Sequence, residues 1–327
     1  MMRWIVIGAG AIGSYVAHEL QGRGQRIIVD IAPEVREAWR RHNETALHPD
    51  ELVDGFEWSS EDTALVATKA SALSAALALI PDRVPTVVLC NGIGPDPGET
   101  LPPGACPGVV DFAVSADTPG EVRCTRTGSL TLPRGAPFDA DQRLQEALQG
   151  SDIRVRLTEH MDAHRHGKLV LNCAFDPVAA LTGTSFGGVL KARASRQLFL
   201  ELLEEGLRAV RQEYPELPPV QGVSPTMLYR LLSVPLFGAL IARIAAWQAK
   251  HVESAMLEDV RRGRPTEIDA QNGYLLKFAE RHAIEVPTHA RVVDAIKGLE
   301  NGSRHPHPRA AEDLLHESQS HGRPLHG

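Results

Sequence analysis

The chain has 327 residues, with 34 basic and 41 acidic side chains and a formal net charge of −7. A hydrophobic share of 43% and a charged share of 23% are typical of a globular protein and exclude the collagen-like, coiled-coil and disordered classes. The length corresponds to about two domains. The acidic balance also argues against binding nucleic acid or anionic lipid through bulk electrostatics.

Cysteine usage and hydropathy predict a cytoplasmic protein. Four cysteines without a C-x-x-C pair do not make a disulfide framework, so we expect reduced thiols at Cys90, Cys106, Cys124 and Cys173. Residues 1–4 run into a strand-like segment without the apolar stretch of a signal peptide. The most apolar later stretch, 231–247, is interrupted by a proline, a glycine and an arginine, so we expect no membrane span.

The first part of the chain alternates strand-like and helical patterns. Strands are predicted at 4–7, 26–30, 64–68 and 84–90, and helices at 11–23, from Pro33, and at 71–80. Unbroken apolar runs between helices indicate strands that are buried on both faces. The pattern therefore predicts a Rossmann-type parallel sheet in α/β order.

The pattern changes after residue 108. Short strands at 109–116, 121–126 and 129–132 predict a meander, and a helix at 139–148 and a strand at 153–157 complete a first domain over residues 1–160. Apolar spacing of 3.6 residues then predicts an all-α domain over 161–301, including one helix at 244–262. Residues 302–327 are expected to be a flexible tail.

A glycine-rich turn follows the first predicted strand and opens the first helix. A G-x-G-x-x-G pattern in this context predicts a dinucleotide site. The first glycine permits the tight turn, the second lets the backbone approach the pyrophosphate, and the third lets the helix pack on the strand. The helix N-terminus attracts the phosphates. The predicted cofactor-binding residues of this loop are Gly8, Gly10, Ala11, Ile12 and Gly13.

Asp30 ends the second predicted strand, 17 residues after Gly13. A carboxylate at about this distance takes the ribose hydroxyls of NAD and repels the additional phosphate of NADP. The residues directly after it, Ile31 and Ala32, are not basic. The sequence therefore favours NAD over NADP as the cofactor.

Polar residues also follow later strands and face one side of a later helix. Lys69 follows the third predicted strand and Asn91 the fourth, at the sheet edge where open α/β folds bind ligands. In the helical half, Lys168 and Asn172 are four residues apart and share a helix face. Near the end, the segment 254–273 contains S-A-M-L-E-D followed by T-E-I-D and Asn-Gly.

Taken in order, these motifs resemble the ketopantoate reductases (2-dehydropantoate 2-reductases) of the 6-phosphogluconate dehydrogenase-like superfamily. The resemblance runs from Gly8 to about Ile296 and includes the glycine loop, the strand-end lysine, Asn-Gly, K-L-x-x-N and S-x-M-x-x-D-…-T-E-I-D. It implies an N-terminal Rossmann domain, a helical C-terminal domain and hydride transfer from a nicotinamide to a 2-oxo acid.

The resemblance also implies roles for individual residues. Lys168 corresponds to the general acid that protonates the carbonyl oxygen, a task that suits an ammonium group. Glu267 corresponds to the carboxylate that orients the substrate and the lysine, and Asn172 to a substrate-orienting amide. Lys69 and Asn91 correspond to residues near the cofactor ribose and the reacting centre.

Some positions depart from the family pattern. Where the family carries Asn-x-x-Ser-Met to bind substrate, this chain has Val252 and Ala255, and where it tends to have a second asparagine after Asn172, this chain has Asp176. Losing two hydrogen-bonding partners weakens binding of a polar substrate, and a carboxylate disfavours a substrate carboxylate nearby unless it pairs with Lys168 or is protonated. We therefore predict a substrate other than ketopantoate, less polar near Val252 and Ala255.

Two alternatives remain open. The main interpretation is a re-specialised reductase that works in either direction. The first alternative is the ketopantoate reductase of pantothenate biosynthesis. A second alternative is a non-catalytic NAD-binding sensor or partner protein, which the intact Lys168 and Glu267 argue against.

The remaining features give no further chemistry. The stretch 231–247 is interpreted as a pocket lining, a homodimer interface or simple helix core. His160, His164 and His166 are interpreted as a polar helix face, and we expect no metal site.

Overall fold

The computed structural model describes residues 3–30, 57–93, 100–118, 121–220, 222–234, 237–248, 250 and 252–321. The chain forms two units, one of Met1–Asn91 with Gly98–Asp162 and the other of Gly92–Pro97 with Ala163–Gly327. The helix predicted from Pro33 lies outside the described residues.

The first unit contains a five-stranded parallel sheet in the order β2-β1-β3-β4-β5. The prediction of a parallel α/β sheet is confirmed, and every residue of the third strand is buried, as expected for strands covered on both faces. Helix α1 follows β1, and helix α2 follows β3. The strands and helices are β1 (Arg3–Ile7), α1 (Ala11–Gly22), β2 (Arg26–Asp30), β3 (Asp62–Val66), α2 (Leu73–Ala78), β4 (Thr86–Val88) and β5 (Ala105–Pro107).

Several boundaries in this sheet differ from the predictions. β3 ends at Val66, before the predicted end at 68, and β4 occupies three of the seven residues predicted at 84–90. β4 is short because its pairing with β3 and β5 covers three residues. The predicted helix at 71–80 begins as a 3-10 turn, Ala70–Ala72, and ends at Ala78. The fifth strand was not predicted, because the segment Ala-Cys-Pro carries no β-branched residue.

The predicted meander is correct for one hairpin and wrong for the other strands. β7 and β8 pair antiparallel in a sheet of their own, whereas β9 belongs to a second sheet with β6 and β10. In that sheet β9 pairs antiparallel with β6 and parallel with β10, to which helix α3 connects it. The predicted strand at 109–116 is split between two sheets, because the Asp111 N–H bonds to the Ser129 carbonyl where the backbone passes Gly128 closely. The elements are β6 (Val109–Val110), β7 (Ala113–Thr118), β8 (Glu121–Arg126), β9 (Gly128–Pro133), α3 (Ala140–Ala147) and β10 (Ile153–Thr158).

The second unit is helical, as predicted. Its core lies around helices α4 and α6, where Val170, Cys173, Phe199 and Leu202 are fully buried. Among the described residues, no helix is both long and apolar enough to cross a membrane. The helices are α4 (Met161–Thr182), α5 (Phe186–Lys191), α6 (Arg193–Val210), α7 (Pro225–Leu232), α8 (Phe237–Gln248), α9 (Ala255–Arg261), α10 (Tyr274–Arg281), α11 (Pro287–Glu300) and α12 (Ala310–His321).

Two predictions for this unit are wrong. The single helix predicted at 244–262 is two helices, because α8 ends at Gln248 and Ser254 caps α9 by accepting the Met256 N–H at 3.1 Å. The tail predicted to be flexible contains α12, which begins at Ala310 and buries Ala311 and Leu314 in the core of the unit.

Candidate active site

The glycine loop after β1 is a tight backbone turn. Gly8 has φ +98°, and a Cβ there would lie 2.9 Å from the Ala67 carbonyl carbon. A Cβ at Gly13 would overlap the carbonyl oxygen of Gly8. Both positions therefore require glycine, one for the left-handed backbone and both for the close approach of neighbouring backbone.

The loop leaves the N-terminus of α1 open to a ligand. Gly10 is the N-cap residue, no side chain caps the helix, and no acidic residue lies in its first turn. A Cβ at Gly10 would meet nothing within 4 Å. Ala11 and Ile12 begin the helix, whose first N–H groups have no partner within it. This cradle fits the phosphates of a dinucleotide.

The other predicted cofactor residues follow the neighbouring strands. Asp30 ends β2 and pairs in register with Ile7, the residue directly before the loop. Lys69 is exposed three residues after β3, and Asn91 is half-buried three residues after β4. Because the carboxyl ends of parallel strands meet at one sheet edge, these positions share the edge of the glycine loop.

Helix α4 carries three of the predicted residues at every fourth position. Lys168, Asn172 and Asp176 therefore lie along one side of this helix. Lys168 and Asn172 are half-buried, whereas Asp176 is only 7% exposed. The structure thus places a buried carboxyl group two turns from the predicted general acid.

The Asp176 carboxyl group connects three separate segments. Burial raises its pKa to about 6, although hydrogen bonds with the side chains of Ser254 and Gln271 act in the opposite direction. The negative charge of Glu267 raises the same pKa, and the positive charge of Lys168 lowers it. Asp176 therefore interacts electrostatically with both Lys168, the predicted general acid, and Glu267, the predicted orienting carboxylate.

A proline in α4 helps to hold the segment that carries Glu267 and Gln271. Pro177 has no N–H to bond the carbonyl of Cys173, one turn earlier in the helix. The Asn272 side chain donates to that carbonyl at 2.9 Å and also lies 2.9 Å from His289 Nδ1. Burial lowers the pKa of His289 to about 4, so its neutral ring accepts from Asn272 and donates through Nε2 to the Leu202 carbonyl.

The start of the same segment is held by α11. The N–H and the hydroxyl of Thr266 both donate to Glu300 Oε1, at 2.8 and 2.7 Å. These hydrogen bonds and Lys297 lower the pKa of Glu300 against the effect of burial. Gln271 donates its N–H to the Glu267 carbonyl, so the two residues are one helical turn apart.

Two of the three departures from the family pattern, Val252 and Ala255, lie beside this cluster. Ala255 is the exposed first residue of α9, directly after Ser254, whose side chain bonds to Asp176. Val252 is half-buried, and its carbonyl accepts the Phe186 N–H at 2.9 Å. The positions predicted to read the substrate are thus next to the residue that holds Asp176.

Sequence reasoning missed Ser254 and Gln271 as members of the cluster. Gln271 follows Glu267 by four residues on a helical turn, and this spacing was the available signal. The predicted polar face of histidines is wrong for His166, which is buried, stacks on Tyr214 and lies 3.2 Å from the Tyr274 hydroxyl. Within the described residues, no group of three or more His, Cys, Asp or Glu side chains has the arrangement of a metal site.

Comparisons with known proteins agree with these features. Residues 4–137 match the family described as ketopantoate reductase PanE/ApbA, and residues 160–300 match its C-terminal domain. A 2-dehydropantoate 2-reductase of Pyrobaculum aerophilum is 26% identical over 304 residues, which covers 90% of this chain and 97% of the relative.

Solved structures share the fold at lower identity. The ternary structure of D-mandelate dehydrogenase with NADH and anilino(oxo)acetate has a TM-score of 0.74 at 18% identity, and the match covers 92% of this chain and 99% of that one. A dimeric ketopantoate reductase from Staphylococcus aureus has a TM-score of 0.66 at 19% identity, and the match covers 93% of this chain and 100% of that one.

Proposed function

The chain belongs to the ketopantoate reductase family of NAD(P)-dependent oxidoreductases, and from this premise we propose that it interconverts a 2-oxo acid and a 2-hydroxy acid with Lys168 as the general acid. The observation that supports this role best is the position of Lys168 on α4, where its charge acts on the buried Asp176 together with that of Glu267. Nearby carboxylates favour the charged form of an ammonium group, and a proton donor acts from that form.

The proposed reaction divides the work among this chain's own groups. Hydride is the chemistry that a bound nicotinamide supplies. Lys168 Nζ hydrogen-bonds to the carbonyl oxygen, polarises the carbonyl and gives it a proton as the alkoxide develops. In the reverse direction the amine takes that proton back. Glu267 keeps the lysine charged and oriented, and Asn172 orients the substrate through its amide.

The substrate is proposed to differ from ketopantoate. Ala255 and Val252 offer a methyl and an isopropyl group where the family pattern has a hydroxyl and an amide. A site without those partners binds a less polar chain comparatively well and loses the discrimination that buried hydrogen bonds give. Aliphatic and aromatic 2-oxo acids are therefore the first compounds to test.

The test of the reaction follows absorbance of the reduced nicotinamide while ketopantoate and a panel of 2-oxo acids are varied. We expect faster turnover of a bulkier, less polar 2-oxo acid than of ketopantoate. The double variant Val252→Asn/Ala255→Ser should gain activity with ketopantoate. Fast turnover of ketopantoate by the wild type, unchanged in the double variant, would identify the pantothenate enzyme instead. No turnover with tight NADH binding would favour the non-catalytic sensor.

NAD is proposed as the preferred cofactor. Asp30 ends β2 beside the strand that leads into the glycine loop, where a carboxylate suits the ribose hydroxyls and opposes a phosphate. The ratio of kcat/KM for NADH to that for NADPH should exceed one and should fall by about tenfold in Asp30→Asn. An unchanged ratio in this variant would contradict the role of Asp30.

A homodimer through one apolar face of the second unit is also proposed. Helices α7 and α8 pack on each other, and while Leu232 and Ala242 are buried, other apolar side chains of the pair point outward. The interpretation of this stretch as simple core is therefore wrong for the outward residues. The apolar face consists of Met227, Leu231, Leu240, Ile244 and Trp247, which are 40 to 73% exposed.

A second copy of the chain is the occupant proposed for this face. Contiguous large apolar side chains mark interaction sites, and a face on one pair of helices can pair with itself across a two-fold axis. The related Staphylococcus aureus enzyme is described as dimeric. Light scattering should give a dimer for the wild type and a monomer for Ile244→Glu. Leu79→Glu, at an equally exposed leucine of the first unit, should remain dimeric. A monomeric wild type would contradict the proposal.

A cytoplasmic location is proposed as well. All four cysteines are free thiols, and reduced cysteines are typical of a reducing compartment. Cell fractionation should recover the protein with cytoplasmic markers, and recovery from an oxidising compartment would contradict this.

A further inference from the structure

The Asp176 carboxyl group is an unusual component of a site that takes an anionic substrate. It is buried, and it lies near one positive group, Lys168, and one negative group, Glu267. The side chains that hydrogen-bond to it come from two other segments, Ser254 at the start of α9 and Gln271 in the turn before α10. The Cys173 thiol, one turn before it on α4, also interacts with it.

Gln271 is a buried polar residue whose contribution to stability does not explain its presence at this position. Its side chain is 2% exposed, and its amide hydrogen-bonds to the Asp176 carboxyl group. Its Oε1 atom is buried without a hydrogen-bond partner among the described residues. An unpaired buried acceptor is costly, so an apolar side chain would fill this place at lower cost. The glutamine instead lies in direct contact with a titratable group of the site.

An amide is a partner that suits both protonation states of a carboxyl group. When Asp176 is ionised, the amide NH2 of Gln271 donates to the carboxylate and Oε1 is left unpaired. When Asp176 is protonated, a half-turn of the amide lets Oε1 accept the carboxyl O–H. Because a hydrogen bond to a charged group is the stronger of the two, the net effect of Gln271 is to favour the ionised form.

We propose that Gln271 is a positioning residue which, together with Ser254, holds the Asp176 carboxyl group in the Lys168 site, and that the charge of this carboxyl group determines how tightly the site binds anionic substrates near neutral pH. With Asp176 protonated, the charge of Lys168 is available to the substrate. With Asp176 ionised, the carboxylate competes for Lys168 and repels the substrate carboxylate. This inference rests on the proposed function, because it takes a 2-oxo acid as the substrate.

We expect the charge of Asp176 to appear in the pH dependence of KM. The KM of an anionic 2-oxo acid should rise by about tenfold as Asp176 ionises. Burial raises the pKa of Asp176 to about 6, so the rise should be centred near that pH. Loss of the donor in Gln271→Met should move the midpoint upward by about one pH unit. Asp176→Asn should remove the rise.

The control is a buried hydroxyl on the same helix. Among the described residues, the Thr182 hydroxyl bonds to the Val178 carbonyl of its own helix, so Thr182→Val should leave the midpoint of the KM profile unchanged. If Gln271→Met keeps the wild-type midpoint, or if Asp176→Asn keeps the rise in KM, the inference is wrong.

A second measurement separates this inference from the proposed function. Carbon-13 NMR of the aspartate carboxyl groups follows the titration of Asp176 without substrate, with the signal assigned by its loss in Asp176→Asn. An upward shift of this titration in Gln271→Met, without turnover of any 2-oxo acid, supports the positioning role and contradicts the proposed function. Turnover with an unshifted titration supports the proposed function and contradicts the positioning role.

Discussion

The glycine loop and the Lys168 cluster are built in different ways. The loop consists of six consecutive residues, Gly8 to Gly13, whose contribution is backbone shape and the open N-terminus of α1. The cluster draws its side chains from three separate segments, namely α4, the start of α9 at Ser254, and the turn that contains Glu267 and Gln271. A backbone site can be recognised from one short motif, whereas a side-chain site depends on how distant segments pack.

The largest effect is expected from a substitution that removes the cluster's proton donor and leaves the glycine loop intact. Lys168→Ala should lower kcat by about 10²- to 10⁴-fold, the range that general acids contribute. Steady-state turnover with the best 2-oxo acid measures this. Lys191→Ala, at the exposed end of α5, is the matched control and should retain full activity. A loss of less than tenfold in Lys168→Ala would show that Lys168 is not the proton donor.

The next largest effect concerns the buried Asp176 carboxyl group, whose ionisation lowers the free energy of unfolding. The pKa of Asp176 is about 6 in the folded protein and 3.8 is the ordinary value, so the folded state binds more protons between these pH values and stability falls as pH rises through them. Asp176→Asn should therefore raise the free energy of unfolding by about 3 kcal/mol at pH 8. The gain should disappear near pH 3. Urea denaturation at both pH values checks this, and an equal gain at both would contradict it.

A smaller effect tests whether the loop depends on backbone approach alone. A Cβ at Gly13 would overlap the Gly8 carbonyl, so Gly13→Ala should lower the free energy of unfolding by about 1–3 kcal/mol and weaken NADH binding. Gly22→Ala is the matched control in the same helix, because a Cβ there meets nothing within 4 Å. Thermal denaturation and fluorescence titration should separate the two variants, and equal behaviour would show that the loop tolerates a side chain.

The smallest effect concerns the support of the cluster. Thr266→Val removes the hydroxyl that donates to Glu300 and accepts the Ile268 N–H. We expect a loss of about 1 kcal/mol in unfolding free energy and a loss of a few-fold in kcat/KM, because Glu267 is the next residue. Serine at this position retains the hydroxyl, so Thr266→Ser should restore both. A silent Thr266→Val variant would show that α11 does not position Glu267.

The same contrast explains how much could be predicted from the sequence. The parallel sheet and the glycine loop depend on local patterns, so both were predicted, whereas β5 was missed because Ala-Cys-Pro has little strand propensity. The helix predicted at 244–262 failed because its apolar spacing continues across a break that Ser254 caps. Gln271 was missed because its meaning lies in its contact with Asp176, 95 positions earlier.

Isotope transfer shows whether hydride passes from NADH to the substrate and whether Lys168 is needed for that step. The wild type and Lys168→Ala would be mixed with NADH deuterated at carbon 4 and a reactive 2-oxo acid, and the product analysed by mass spectrometry. We expect one deuterium at carbon 2 of the 2-hydroxy acid, formed much more slowly by Lys168→Ala although NADH binding by that variant is unchanged. Transfer at the same rate in both proteins, or none in either with NADH bound, would contradict this expectation.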